Sequence, residues 1–155
     1  RLGVAPASLY SRVNSAEDLF DLALDHALGR DADVLAAIGG GKLLPLMLAY
    51  YRHLVRHPWA CRVIAMRAPR GPNYLRLSEV MCVLLVEAGS EDPLGDAYAI
   101  SNFVIGSAMT APIVGDERGS GVDSGIAPMY SSLHASHAVD PESIVESGLR
   151  ALLRR

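Results

Sequence analysis

The sequence is short of cysteine, of long apolar runs and of net positive charge. Only Cys61 and Cys82 occur, both among apolar neighbours. That is the setting of small buried hydrophobes with free thiols in a reducing compartment, and it excludes a disulfide-built scaffold. The longest uninterrupted apolar stretch, Val80 to Val86, falls far short of the roughly 20 residues that a membrane-spanning helix needs. The chain does not open with a basic leader or an apolar core, so a cytoplasmic protein with no membrane partner is expected. The formal net charge is -3. The field of the whole molecule therefore does not attract DNA or an anionic surface, and any nucleic-acid contact has to be local.

What is present is helical periodicity. With 155 residues, half of them hydrophobic, the chain can fill one main core. Ser15 with Glu17 and Asp18 reads as a helix start, followed by Leu19, Phe20, Ala23, Leu24, Ala27 and Leu28 at helical spacing. Asp33 to Ile38 is weakly helical. Lys42 to Pro58 carries a broad stripe through Leu46, Met47, Tyr50, Tyr51 and Leu54, a brief helix follows at Trp59 to Met66, and "RAPRGPN" forces a turn. Tyr74 to Ala88 is capped by Gly89, and Leu94 to about Val114 is nearly uncharged, which predicts burial almost all round. Gly115 to Gly125 reads as a mobile loop, Ala127 to Ala138 as a short helix, and Asp140-Pro141-Glu142 opens a last amphipathic helix. Strands are hard to find, so the fold class is all-α with about eight helices.

With the helices placed, "LGVAPASLYSRV" and the helix after it resemble the second half of the DNA-binding domain of the TetR family of transcriptional repressors. Leu2, Gly3, Val4, Leu9, Tyr10 and Val13 carry the likeness. Each suits a helix-turn-helix: Gly3 allows the tight turn, and Val4 and Leu9 pack the recognition helix. "DAYAISNFVIG", "SIVESGLRALL" and the stretch from "RAPRGPN" to Ser90 resemble the tetracycline-repressor branch of that family. The resemblance implies a helix-turn-helix remnant with its connecting helix over residues 1–28 and a helical ligand-binding and dimerisation domain over residues 29–155. Such chains have roughly 30 residues ahead of L-G-V that complete the reader, and the expectation is that the N-terminal part of that domain is missing here.

By resemblance, Pro6, Ala7 and Tyr10 face the major groove and Ser8 and Arg12 the phosphates. The chemistry agrees for Ser8, Tyr10 and Arg12, which can donate hydrogen bonds; Pro6 and Ala7 offer apolar contact alone, so the operator should differ from that of tetracycline repressors. The family encloses a small-molecule pocket, whose expected walls are Leu46, Tyr50, His53, Trp59, Ile64, Met66, Tyr74, Leu77, Ser78, Met81, Asn102, Phe103 and Met109, with simple core packing as the competing reading for each. At positions matching the side chains that hold tetracycline and its magnesium ion stand Ile64, Ala68 and Ala32, so a more hydrophobic effector is expected. The dimer interface is assigned to the helices around Leu94 to Val114 and Asp140 to Leu153. Small residues there, Ala99, Gly106, Thr110, Gly148 and Ala151, allow close approach.

Other chemistry fails on inspection. "GGGK" lacks the first glycine and the Ser or Thr of a phosphate-binding loop, and the His53/His57 and His134/His137 pairs lack a further ligand at metal-site spacing. No nucleophile motif is present, so neither an enzyme nor a cofactor or metal site is expected. The expected protein is a ligand-responsive repressor that binds a palindromic DNA operator as a homodimer and is released by a hydrophobic small molecule. The alternative is a helical homodimer that binds a small molecule or a protein without DNA.

Overall fold

The computed structural model describes residues 16–137 and 140–154, and these contain helices and turns without a strand. Nine α-helices lie within them: α1 (Ala16–Leu28), α2 (Ala32–Gly39), α3 (Leu43–Arg56), α4 (Pro58–Met66), α5 (Pro72–Glu87), α6 (Pro93–Thr110), α7 (Val114–Gly119), α8 (Pro128–Ser136) and α9 (Pro141–Leu152). The expected all-α class is what the structure shows.

Local chemistry sets the helix ends. Pro58, Pro72, Pro93, Pro128 and Pro141 sit in first turns, where a missing N–H breaks no bond. Asp31, Asp92 and Asp140 cap their helices through backbone N–H groups of Asp33, Gly95 and Ser143 at 3.1, 3.0 and 3.2 Å. At the end of α5, Gly89 adopts φ 80°. Its N–H bonds to Val86 O and that of Ser90 to Leu85 O, both at 3.0 Å, a Schellman closure that favours glycine.

α3 is the central element, packed by α2, α4, α5, α6 and α9. Leu46, Met47, Tyr50 and Leu54 on α3 meet Val34, Val104, Val145 and Leu149 in one buried cluster. The bidentate pair of Arg52 with Glu142 joins α3 to α9 at the surface. Two expectations need correction. The stretch from Gly115 is not wholly a loop: Pro112 has no N–H to return to residue 108, the chain tightens into a 3-10 turn at Ala111–Ile113, and helix resumes as α7. Nor is α6 buried all round in the single chain. Ala97, Ile100, Val104 and Ala108 face the core, but Tyr98 is 63% and Met109 54% exposed. α8 has no buried residue, with Met129, Tyr130 and Leu133 exposed.

Candidate functional site

A cavity of about 390 Å³ lies between the end of α4, the α4–α5 turn, α5 and α6. Helical spacing builds its walls. On α5, Tyr74, Ser78 and Met81 stand one turn apart on one face, and on α6 Leu94, Ala97, Tyr98, Ser101, Asn102 and Ile105 do the same. Ile64 comes from α4, and the turn supplies Ala68, Pro69 and Arg70. The lining is mostly apolar with a few polar groups at fixed positions, the usual make-up of an organic-ligand site.

Both serines of the lining are already ordered. The Ser78 hydroxyl donates to Tyr74 O at 3.1 Å, and that of Ser101 faces Met81 Sδ at 3.6 Å. Behind Tyr74 a narrow cleft reaches Tyr50 and Leu77. The two tyrosine hydroxyls stand 3.4 Å apart, with the rings edge-on at 6.5 Å between centroids. Burial raises both phenols above their ordinary value, so each is a neutral donor and acceptor at physiological pH.

Of the residues expected to form the pocket, Ile64, Tyr74, Ser78, Met81 and Asn102 line the cavity, and Tyr50 and Leu77 border the cleft behind it. The structure places the others elsewhere. Leu46 lies in the core, and Met66 and Met109 are exposed. Trp59 stands partly exposed with its ring 6.1 Å from that of His57, and Phe103 packs on Gly148. His53 is fully buried: its Nδ1 lies 2.7 Å from Asp31 Oδ2, which Arg56 also binds at 2.7 Å. Burial lowers the His53 pKa against the pull of Asp31, so the ring is neutral and Nδ1–H donates. Nε2 then has no partner among the described residues. Sequence reasoning missed Pro69, Arg70, Leu75, Cys82, Leu94, Ala97, Tyr98, Ser101 and Ile105. The signal was available on α6, because Asn102 fixes a face that Leu94, Tyr98, Ser101 and Ile105 share at helical spacing.

The cavity is tied to α1 through the turn that shapes its mouth. At the start of α5, the Asp25 carboxylate accepts from Asn73 N, Asn73 Nδ2 and Tyr74 N at 2.8, 2.8 and 3.1 Å. Gly71 lies so close to Asp25 that a Cβ would come within 2.3 Å of its oxygen. At the end of α4, Arg67 pairs with Asp21 at 2.8 Å and Asp18 at 3.8 Å. Ala68, Pro69 and Arg70 are thus held between two contacts to one helix. No His, Asp or Glu lines the cavity among the described residues, and no group of three potential metal ligands occurs among them. The Ile64 and Ala68 side chains at the wall offer nothing to a chelated magnesium ion.

Residues 42–153 match the family described as "Tetracyclin repressor-like, C-terminal domain". The chain belongs to the TetR family. An HTH-type transcriptional regulator of Saccharopolyspora erythraea is 33% identical over 144 residues, covering 88% of this chain and 60% of that protein; the chain therefore spans less than two thirds of its relative. A possible TetR family transcriptional regulator from Streptomyces coelicolor superposes with a TM-score of 0.77 at 26% identity over 97% of this chain and 82% of the other. The S. coelicolor TetR family protein ActR in complex with actinorhodin gives 0.69 at 20% identity over 99% and 81%, a likeness of fold. The family is one of transcriptional regulators, not enzymes. No helix of this TetR-family chain is long and apolar enough to cross a membrane among the described residues. The expected DNA-facing positions Pro6, Ala7, Ser8, Tyr10 and Arg12 lie outside the described residues.

Proposed function

We propose that this TetR-family chain is part of a cytoplasmic, ligand-responsive repressor that holds a palindromic operator as a homodimer and releases it when a hydrophobic small molecule fills the α4–α5–α6 cavity. Residues 1–28 contribute to DNA reading, through Pro6, Ala7, Ser8, Tyr10 and Arg12, and residues 29–155 bind ligand and dimerise. The observation that carries the reading is the mostly apolar cavity whose mouth-forming turn is bonded at both ends to α1. A ligand that displaces Tyr74 or the turn has to move α1 or break those contacts. That supplies the differential affinity between two conformations on which a ligand switch depends. ActR, whose fold is similar, has been seen in complex with actinorhodin, and small-molecule binding is carried over here as part of the proposal.

The dimer is assigned to α6 and α9. Ala99, Gly106, Thr110 and Ala151 are exposed in the single chain, and so are the larger Met109 and Ile144. Gly148, the remaining expected interface position, is half-buried against Phe103 of its own chain. An uncharged helix face of this kind calls for a partner.

The deciding experiment is a fluorescence-anisotropy titration of the full-length regulator against the DNA upstream of its gene, with and without a panel of hydrophobic compounds. Tight, salt-sensitive binding relieved by one compound is the expected result. Binding to no DNA at any salt, by a protein that still dimerises, would replace this reading with a DNA-free helical dimer.

A further inference from the structure

We infer that the cavity takes an apolar ligand with one acidic group, and that Arg70 is the residue that pairs with that group. This rests on the ligand-binding reading above and narrows it to a chemical class.

Arg70 is the one ionised side chain among the described residues that line the cavity. Its neighbour Arg67 is matched by Asp18 and Asp21, whereas Arg70 donates to the carbonyl of Pro69 at 3.2 Å and has no carboxylate partner among the described residues. Asp25, which meets the start of α5 just past the same turn, is occupied by Asn73 and the Tyr74 amide. Arg70 shares the cavity wall with a second donor. The Tyr50 hydroxyl has Tyr74 as its partner, so when Tyr50 donates, the Tyr74 O–H is free to point at a ligand acceptor. The positive charge of Arg70 bears on that same phenol and opposes the rise that burial causes.

The placement suits an acid better than any other polar group. Leu75, Met81, Leu94 and Ile105 make the apolar walls, and Arg70 is exposed. A ligand can bury its apolar body while its anionic group stays at the mouth, paired and partly hydrated, so no charge is stranded in an apolar interior. A cationic ligand meets a like charge with no acid to offset it.

The test uses two fluorescent probes with one aromatic skeleton, anilinonaphthalene sulfonate and the neutral N-phenylnaphthylamine, titrated into the chain, into Arg70→Gln and into Ser101→Trp, which fills the cavity. The sulfonate is expected to bind the unaltered chain about fivefold more tightly than the neutral probe, the range of a charge-assisted contact at a partly exposed site. Arg70→Gln should abolish that preference by weakening the sulfonate far more than the neutral probe, and Arg70→Lys should restore part of it. Ser101→Trp should weaken both probes. Equal affinities in the unaltered chain, or a sulfonate preference that survives Arg70→Gln, would overturn the role of Arg70 and leave the cavity reading standing. Failure of both probes to bind, or undiminished binding to Ser101→Trp, would overturn the cavity reading and the role of Arg70 together.

Discussion

Asp25 shows what one carboxylate can hold: it caps α5 across chain segments 48 residues apart and fixes the Tyr74 amide at the cavity wall. Removing its side chain leaves the Asn73 and Tyr74 amides without their acceptor, while Asn73 Nδ2 keeps only the backbone carbonyl of residue 25. Asp25→Ala is expected to lower stability by about 1–2 kcal/mol in urea unfolding. It should also reduce the ligand's effect on DNA affinity more than the ligand's own affinity. An unchanged ligand effect would show that coupling runs elsewhere. Asp31 predicts a pH dependence. Burial raises its pKa, but hydrogen bonds from Arg56, His53 and the Val34 amide outweigh that and bring it from 3.8 to about 2. A depressed carboxylate gives stability that is full above its unfolded value and is lost as pH falls from 3.8 toward 2. His53, lowered by burial from 6.5, acts in the same direction at higher pH, because the unfolded chain takes up its proton first. Unfolding midpoints should therefore fall with acid below 6.5 and again below 3.8, and Asp31→Asn should flatten the lower step.

Helix by helix, the sequence predicts these elements where end signals and periodicity agree. The Asp and Pro start of α9 and the Gly89 closure of α5 are local chemistry, read within a few residues, whereas α6 begins at Pro93 with Asp92 as its cap, a signal that the reading from Leu94 passed over. α7 was hidden because glycine and charge dominate its composition, and it follows α6 directly through the 3-10 turn that holds Pro112. Pairing between helices is less legible. Phe103 and Gly148 look like a pocket aromatic and an interface glycine, but the fold sets them against each other: a Cβ on Gly148 would lie 2.3 Å from Phe103 Cζ. Gly148→Ala is expected to lower stability by about 1–3 kcal/mol through overpacking. Phe103→Leu in the same chain should recover part of that loss, because the two sites share one space. Purely additive effects in thermal melts would deny that they couple.

For the whole molecule, the proposed dimer predicts the behaviour of one substitution. Gly106 has no atom within 4 Å of an added Cβ, so Gly106→Arg should leave the subunit's helix content unchanged. It places charge and bulk on the proposed α6 interface, and light scattering at micromolar concentration should then show a monomer where the unaltered chain is a dimer. A Gly106→Arg dimer would move the interface off that face.

The sequence by itself determined the helical class, most helix ends and the likeness to the TetR family. All of these follow from spacing and caps within one segment, or from a motif read in order. It also brought out Ile64, Tyr74, Ser78, Met81 and Asn102, whose residue types fit a pocket. Only the tertiary structure decided which faces of α5 and α6 meet around a cavity, since periodicity defines a face without naming the helix it meets. The same holds for His53, which helical spacing leaves free to line a pocket. The approach of α2 to α3 brings Asp31 to its ring and closes it into the core.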